Sequence, residues 1–245
     1  MEDKIITVSH NELVVACQKA FEALGFNQAQ WEDAGDAIGW LAVHGLPLPA
    51  GFVDRLGSMR PAEALPKMIY KKPGEPMWEA NRESAVSYFP ILVDYASVHA
   101  RRFKSCHMLI MNCRDIDLIW PYIVKVHRRG FHISVRWKLN QQTEQIVAFG
   151  SDIQLYRRKS ELALDAVALT IKEVDDADQT LEQLSGVMAE VENLIDGATL
   201  QKNFQFHTAN GIDIDKTVWQ TLGELGKRIL VEATEESERR GAGGV

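Results

Sequence analysis

Residues 106–137 constrain the fold more than any other part of the chain. Cys106 to Asn112 is a compact apolar run suited to a buried strand, Ile116 to Arg129 reads as a helix that Gly130 ends, and Phe131 to Trp137 reads as a second strand. Strand, helix and strand within about thirty residues make a βαβ unit, whose parallel strands are covered by the crossover helix. The expected class is therefore α/β, and the remaining elements have to supply the other layers.

The first sixty residues read as helices. Ser9 with Glu12, and Asn27 with Gln30, are two capping boxes, in which each side chain satisfies a backbone N–H left open at a helix start. They predict a helix from His10 to about Leu24, stopped by Gly25, and a second running to His44. A third short helix is expected from near Pro49 through Phe52 and Leu56. Two short strands flank the turn Lys72-Pro73-Gly74-Glu75-Pro76, and a long helix from Ser84 to Arg102 has to accommodate Pro90. Ile153 to Arg157 and Leu162 to Val174 alternate as strands, whereas Leu181 to Ile195 and Lys216 to about Arg240 read as helices. The expected architecture is an N-terminal helical layer packed on a mixed sheet with a βαβ unit, and a C-terminal helix returning to the N-terminal ones. No repeat or long linker divides residues 1–245, so a single domain is expected.

Charge and cysteine usage narrow the function. A net charge of -7 and short basic clusters argue against a nucleic-acid backbone as partner. No stretch approaches the roughly 20 apolar residues of a membrane span, and the N-terminus lacks an apolar leader core, so a cytoplasmic location is expected. Cys17, Cys106 and Cys113 form no CxxC pair, which fits a reducing compartment and gives no zinc signature. His107, His127 and His132 lack helical i, i+4 spacing and HExxH is missing, so no metal is expected.

Three stretches carry a family resemblance. Val8 to Leu56 holds two helices, then His44-Gly45 and a short helix ending in Arg55-Leu56. Ser84 to Val135 holds a helix, a strand ending at Asn112, a helix, Gly130 and a strand. Gly211 to Leu222 resembles a closing helix. In order, and over roughly two thirds of the sequence, these stretches resemble the malate/L-lactate dehydrogenases that lie outside the Rossmann class. They also resemble a group of shortened bacterial relatives known as a domain of unknown function.

The departures from that family carry the functional expectation. The family's Asn-x-x-His turn presents a catalytic histidine, and here it reads Asn112-Cys113-Arg114-Asp115, followed by Ile116, Asp117 and Leu118 in place of a glycine-rich start. The substrate-clamping arginine expected four residues after His44 is Leu48, and the aromatic hydroxyl four further on is Phe52. The family's nicotinamide-holding segment, with its Thr-Asn-Pro turn, Asp-x-Ala-Thr-Ser run and Gly-Gly-x-Lys-Gly loop, does not occur between Trp137 and Gly211. GxGxxG and P-loop motifs are missing as well.

The resemblance thus implies a degenerate dehydrogenase-like protein that binds a small polar or anionic metabolite without nicotinamide redox chemistry. No cofactor is expected. His44 and Asp115 are the candidate catalytic pair, with Asn112 and Arg114 as substrate-binding residues and Arg114 as the cation nearest the lost clamp. Plainer roles stand beside these: His44 as a helix C-cap and Asp115 as the N-cap of its own helix. Two other functions remain open, an NAD(P)-dependent oxidoreductase of a small 2-oxo or 2-hydroxy acid with a reduced cofactor site, and a non-catalytic partner subunit of a metabolic enzyme. A homodimer is expected through the N-terminal helices, where Trp31, Trp40 and Phe52 exceed what short helices readily bury in one chain.

Overall fold

The computed structural model describes residues 4–48, 51–138, 143–149, 153–159, 166–173 and 192–229. Both capping boxes form. Ser9 and Glu12 exchange hydrogen bonds at the start of α1 (His10–Ala23), and Asn27 and Gln30 do so at the start of α2 (Gln28–Val43). The short α3 is Phe52–Leu56, with Pro49 outside the described residues. Next come β2 (Lys67–Tyr70), β3 (Met77–Glu79), α4 (Ala85–Phe103) and β4 (Ser105–Met111). The predicted helix after Asn112 divides into a 3-10 turn, Ile116–Ile119, and α5 (Trp120–Arg128), because Pro121 starts a helix more readily than it continues one.

The sheet corrects one part of the sequence expectation. β5 (Phe131–Lys138) runs parallel to β4 but does not touch it, because β8 (Ala166–Glu173) lies between them and is antiparallel to both. The βαβ unit is therefore split. The parallel neighbours are instead β3 and β4. With β6 (Thr143–Phe149), β7 (Ile153–Lys159) and β9 (Glu192–Asp196), the eight-stranded order is β2-β3-β4-β8-β5-β6-β7-β9. β8 occupies the centre because Val167, Leu169 and Ile171 are almost fully buried.

The helices build two layers on this sheet. α4 and α5 lie against β4, β8 and β5, and α2 packs on α4 and α5 with α1 outside it. A second correction concerns residues 192–215. Glu192–Ile195, predicted as a helix end, belong to β9, and the rest of that predicted helix lies outside the described residues. An unforeseen helix, α6 (Gly197–Asn210), follows and packs on α2. Ile212–Asp215, read as the start of the closing helix, is β10, which pairs antiparallel with β1 (Ile5–Val8). Gly211 between them is obligatory: its φ is 85°, and a Cβ there would sit 2.7 Å from the Thr7 side chain. α7 (Lys216–Gly226) then returns to α1, as expected, and residues 230–240 of the predicted helix lie outside the described residues.

The residues that suggested a dimer find cover within one chain. Phe52 is 2% exposed. Trp40 is stacked between His44 and Trp120, and Trp31 packs against the core. These three do not require a second copy. No helix among the described residues is long and apolar enough to cross a membrane.

Candidate functional site

The structure places His44 and Asp115 in different clefts. His44 follows α2 and lines a cleft of about 350 Å³ with Trp40, His10, Arg128, Gln201 and Phe204. Its Nδ1 donates to the Trp40 carbonyl at 2.8 Å, which leaves Nε2 as the free ring nitrogen. The ring stacks on Trp40 at 4.1 Å and meets Phe204 at 5.4 Å. Burial lowers the His44 pKa, opposed by the Trp40 carbonyl and reinforced by His10, Arg128 and His207. A neutral imidazole is favoured, opposite to the raised value that an Asp115 partner would give.

The backbone around His44 is closed by α6. Asn203 Nδ2 donates to the His44 carbonyl at 3.0 Å, and His207 Nδ1 to the Val43 carbonyl at 3.1 Å. Gly45 has φ 70°, and a Cβ there would lie 2.8 Å from the Asn203 amide. The His-Gly pair thus fits a tight helix-to-helix contact, with α6 satisfying carbonyls that a helix end leaves open.

Asp115, Arg114 and Asn112 lie at the other end of the crossover, where the turn after β4 meets the turn before α4. Backbone hydrogen bonds tie the two turns together: Arg82 N–H to the Asn112 carbonyl at 2.7 Å, Arg114 N–H to Glu83 at 3.0 Å and Ala85 N–H to Arg114 at 2.9 Å. Asn81, Arg82, Asn112 and Asp115 all have φ between 51° and 63°. Asn and Asp enter this left-handed region readily, whereas for Arg82 it costs roughly 1–2 kcal/mol, and such strain gathers where a function maintains it.

Two small lobes open here and share Arg82 and Arg114. One, about 160 Å³, is lined by Arg55, Ser58, Arg60, Glu83, Ser84 and Asp115 besides the shared pair. The other, about 140 Å³, adds Asn112, Cys113, Ile116, Lys138 and Ala166. Asp115 does not cap its helix; its carboxylate, 5% exposed, pairs with Arg55 at 2.9 Å. The Asn112 amide is committed to Glu79, donating to both carboxylate oxygens at 3.0 Å, so its oxygen alone is left to face a ligand. Arg82 and Arg114 are exposed, and their guanidinium groups make no hydrogen bond or ion pair among the described residues. Ser84 is 7% exposed at the N-cap of α4, yet its hydroxyl caps nothing and has no partner.

Other chemistry is disfavoured here. The Cys113 thiol accepts from Tyr88 at 2.7 Å, and burial pushes its pKa up to about 12, so it is no ready nucleophile. His107 and His127 bond Thr170 and the Phe131 carbonyl, and no group of His, Cys, Asp or Glu suited to a metal occurs among the described residues. A groove of about 490 Å³ between α1 and α7 is walled mainly by apolar side chains such as Val15 and Trp219, and no arginine lines it. Each arginine lobe, about 160 Å³ and 140 Å³, is below the roughly 300–1,000 Å³ of pockets for drug-sized ligands.

Malate dehydrogenase from Pyrococcus horikoshii OT3 superposes over 95% of this chain and 98% of its own, with a TM-score of 0.66 at 12% identity. The fold is that of malate/lactate dehydrogenases. A putative malate/lactate dehydrogenase from E. coli matches over 97% and 98% of the two chains, with a TM-score of 0.66 at 10% identity. A dehydrogenase from Sinorhizobium meliloti covers 91% of this chain and 99% of its own, with a TM-score of 0.67 at 8% identity. Residues 8–64, spanning α1 to α3 of this dehydrogenase-like fold, match the family described as "Protein of unknown function (DUF3726)". No curated protein sequence matches the chain.

Sequence reasoning missed Arg55, Arg82 and Ser84 as site residues. Arg55 stood in the His-Gly to Arg-Leu stretch and Ser84 at a predicted helix start, so both positions carried a signal. Arg82 carried none, since Asn81-Arg82 looks like any polar turn until β3 and β4 are paired.

Proposed function

We propose that this chain binds a small anionic metabolite in the arginine cleft and does so without nicotinamide redox chemistry. The observation that carries the reading is the pair of unpartnered guanidiniums, Arg82 and Arg114, beside the unpartnered Ser84 hydroxyl. Guanidinium forks suit carboxylate and phosphate oxygens, and hydrogen bonds to charged groups contribute about 1.5–3 kcal/mol each. Arg114 and Arg82 take over the role of a clamp at Leu48, and Asp115, tied to Arg55, serves to fix the cleft rather than to move a proton. His44 acts as a structural residue that joins α2 to α6.

A second reading, an oxidoreductase of a small 2-oxo or 2-hydroxy acid, is favoured by the dehydrogenase names of the superposing structures. Thermal unfolding separates the two. A ligand at 100 times its Kd stabilises by about 2.7 kcal/mol, which for a domain of this size raises Tm by about 5–10 °C. Small dicarboxylates and phosphate esters are expected to raise Tm, while millimolar NAD and NADP leave it unchanged. A shift of several degrees with either dinucleotide favours the oxidoreductase instead.

A further inference from the structure

The arginine cleft is built in two lobes, and the difference between them narrows the ligand class. In the first lobe the N-terminus of α4, a helix of 19 residues, meets three further observations. Ser84 occupies the N-cap with its hydroxyl unspent, although a serine there ordinarily gives its oxygen to a helix N–H. The residue is 93% buried and its hydroxyl oxygen is closed to water as the side chain stands, so a ligand oxygen in the lobe meets it by a turn of the Ser84 side chain, which gives the hydroxyl the partner it lacks. Arg82 and Arg114 flank it. The Ala85 and Ser87 N–H groups of α4 are taken by the Arg114 and Ser84 carbonyls, so the helix contributes its dipole, and that dipole with the Ser84 hydroxyl and two guanidiniums suits a tetrahedral oxyanion such as phosphate.

The second lobe has a different chemistry. It keeps Arg82 and Arg114, adds Lys138 from the end of β5, and includes Ala166 from β8 and Ile116 as apolar wall. Among the described residues no helix of eight or more residues starts in it, and the amide of Asn112 is turned onto Glu79. One ammonium shared with two guanidiniums suits a planar carboxylate. The Asn112 oxygen, an acceptor, is left for a ligand hydroxyl.

Charge supports the same conclusion. The two lobes together are lined by five cationic side chains, Arg55, Arg60, Arg82, Arg114 and Lys138, against the carboxylates of Glu83 and Asp115. The excess is three positive charges in a chain whose net charge is -7. A phosphate monoester carries about two negative charges at neutral pH, and a carboxylate carries one.

We propose that the two lobes hold the two ends of one phosphorylated carboxylic acid, with the phosphate at Ser84 and the carboxylate at Lys138. Arg82 and Arg114 stand between the ends and bind both. This rests on the anion-binding reading above and specifies it.

Calorimetry with 3-phosphoglycerate, glycerate and inorganic phosphate at matched ionic strength tests the proposal. The phosphorylated acid is expected to bind at least tenfold more tightly than either half. Ser84→Ala should weaken phosphate and 3-phosphoglycerate while sparing glycerate, and Lys138→Gln should weaken glycerate and 3-phosphoglycerate while sparing phosphate. Circular dichroism melts of both variants establish that each remains folded. If succinate and glycerate bind and the phosphate adds nothing, the two-ended assignment is overturned and the anion-binding reading stands. If succinate, glycerate, phosphate and 3-phosphoglycerate all fail to bind, both fall together.

Discussion

The His44 cleft and the arginine cleft flank the same crossover helix region, and they differ in what their polar groups already have. Around His44 the ring is stacked on Trp40, Nδ1 is bonded, and the neighbouring carbonyls are capped by Asn203 and His207. Around Arg114 two guanidiniums and a buried hydroxyl have no partner among the described residues, on turns that include the left-handed Arg82. A satisfied polar group is a structural fastener, because removing it leaves its partner unpaired and destabilises the fold. An unsatisfied group maintained at the expense of strain suggests that something outside the chain completes it. His44 is therefore the fastener, and the turn Asn112-Cys113-Arg114-Asp115 has the open valences.

The sharpest way to break this contrast is to damage the helical side and watch the other. Trp120, 1% exposed, supports the Trp40 ring that stacks on His44. Truncating a buried tryptophan costs about 3–5 kcal/mol, so Trp120→Ala should lower Tm by roughly 6–20 °C for a chain of this length. Below that Tm, anion affinity should change little, because Trp120 lines neither lobe. Calorimetry at low temperature checks this, and a large loss of affinity in the folded variant would join the two regions into one site.

A change of opposite sign is expected in the arginine cleft. Arg82 adopts φ 63° with an exposed, unpartnered side chain. Arg82→Gly relieves about 1–2 kcal/mol of left-handed strain and gives back about 0.4–1 kcal/mol through the freer unfolded chain. Tm should stay level or rise by a few degrees, while anion affinity falls roughly tenfold or more with the loss of a charged hydrogen bond. Stability gained as binding is lost would mark Arg82 as a functional residue. A destabilised variant with intact affinity would reverse that assignment.

How much of this could be read from the sequence depends on the range of the interaction that decides it. The capping boxes, Gly25, the long helix tolerating Pro90 and both buried strands are local patterns, and they form where expected. β10 was also legible: Ile212-Asp213-Ile214-Asp215 alternates buried and exposed with a strand's period, a signal masked by the apparent helix that follows. The insertion of β8 between β4 and β5 had no local signal, since pairing partners 55 to 67 residues apart leave no mark on either segment. The site divides in the same way. Asn112, Arg114 and Asp115 were found because one turn contains them, whereas Arg55 reaches Asp115 across the fold and Arg82 comes alongside Asn112 only once β3 and β4 pair. The expected link between His44 and Asp115 failed for a related reason: each side chain already has a nearer partner, Trp40 for one and Arg55 for the other.

The smallest expected effect concerns pH. The ordinary value for His44 is 6.5, and in the fold it is lowered, first by burial and then by His10, Arg128 and His207, against the opposing Trp40 carbonyl. The folded chain therefore disfavours the imidazolium, and the unfolded chain takes up the proton first as pH falls. The stabilisation is complete above about 6.5 and is lost as pH descends through the lower folded value. His99, His107 and His132 are lowered as well, so acid weakens the fold through several sites and the His44 share has to be isolated by difference. His44→Asn keeps an amide donor within reach of the Trp40 carbonyl and removes the titration. Urea melts at pH 7.5 and pH 5 should show wild type losing more stability than the variant between the two. Equal losses would mean that His44 is not held neutral by its surroundings. A wild type that gains on the variant at pH 5 would mean that it carries the charge, as a partner of a carboxylate would, and the contrast between the two clefts would have to be redrawn with His44 on the functional side.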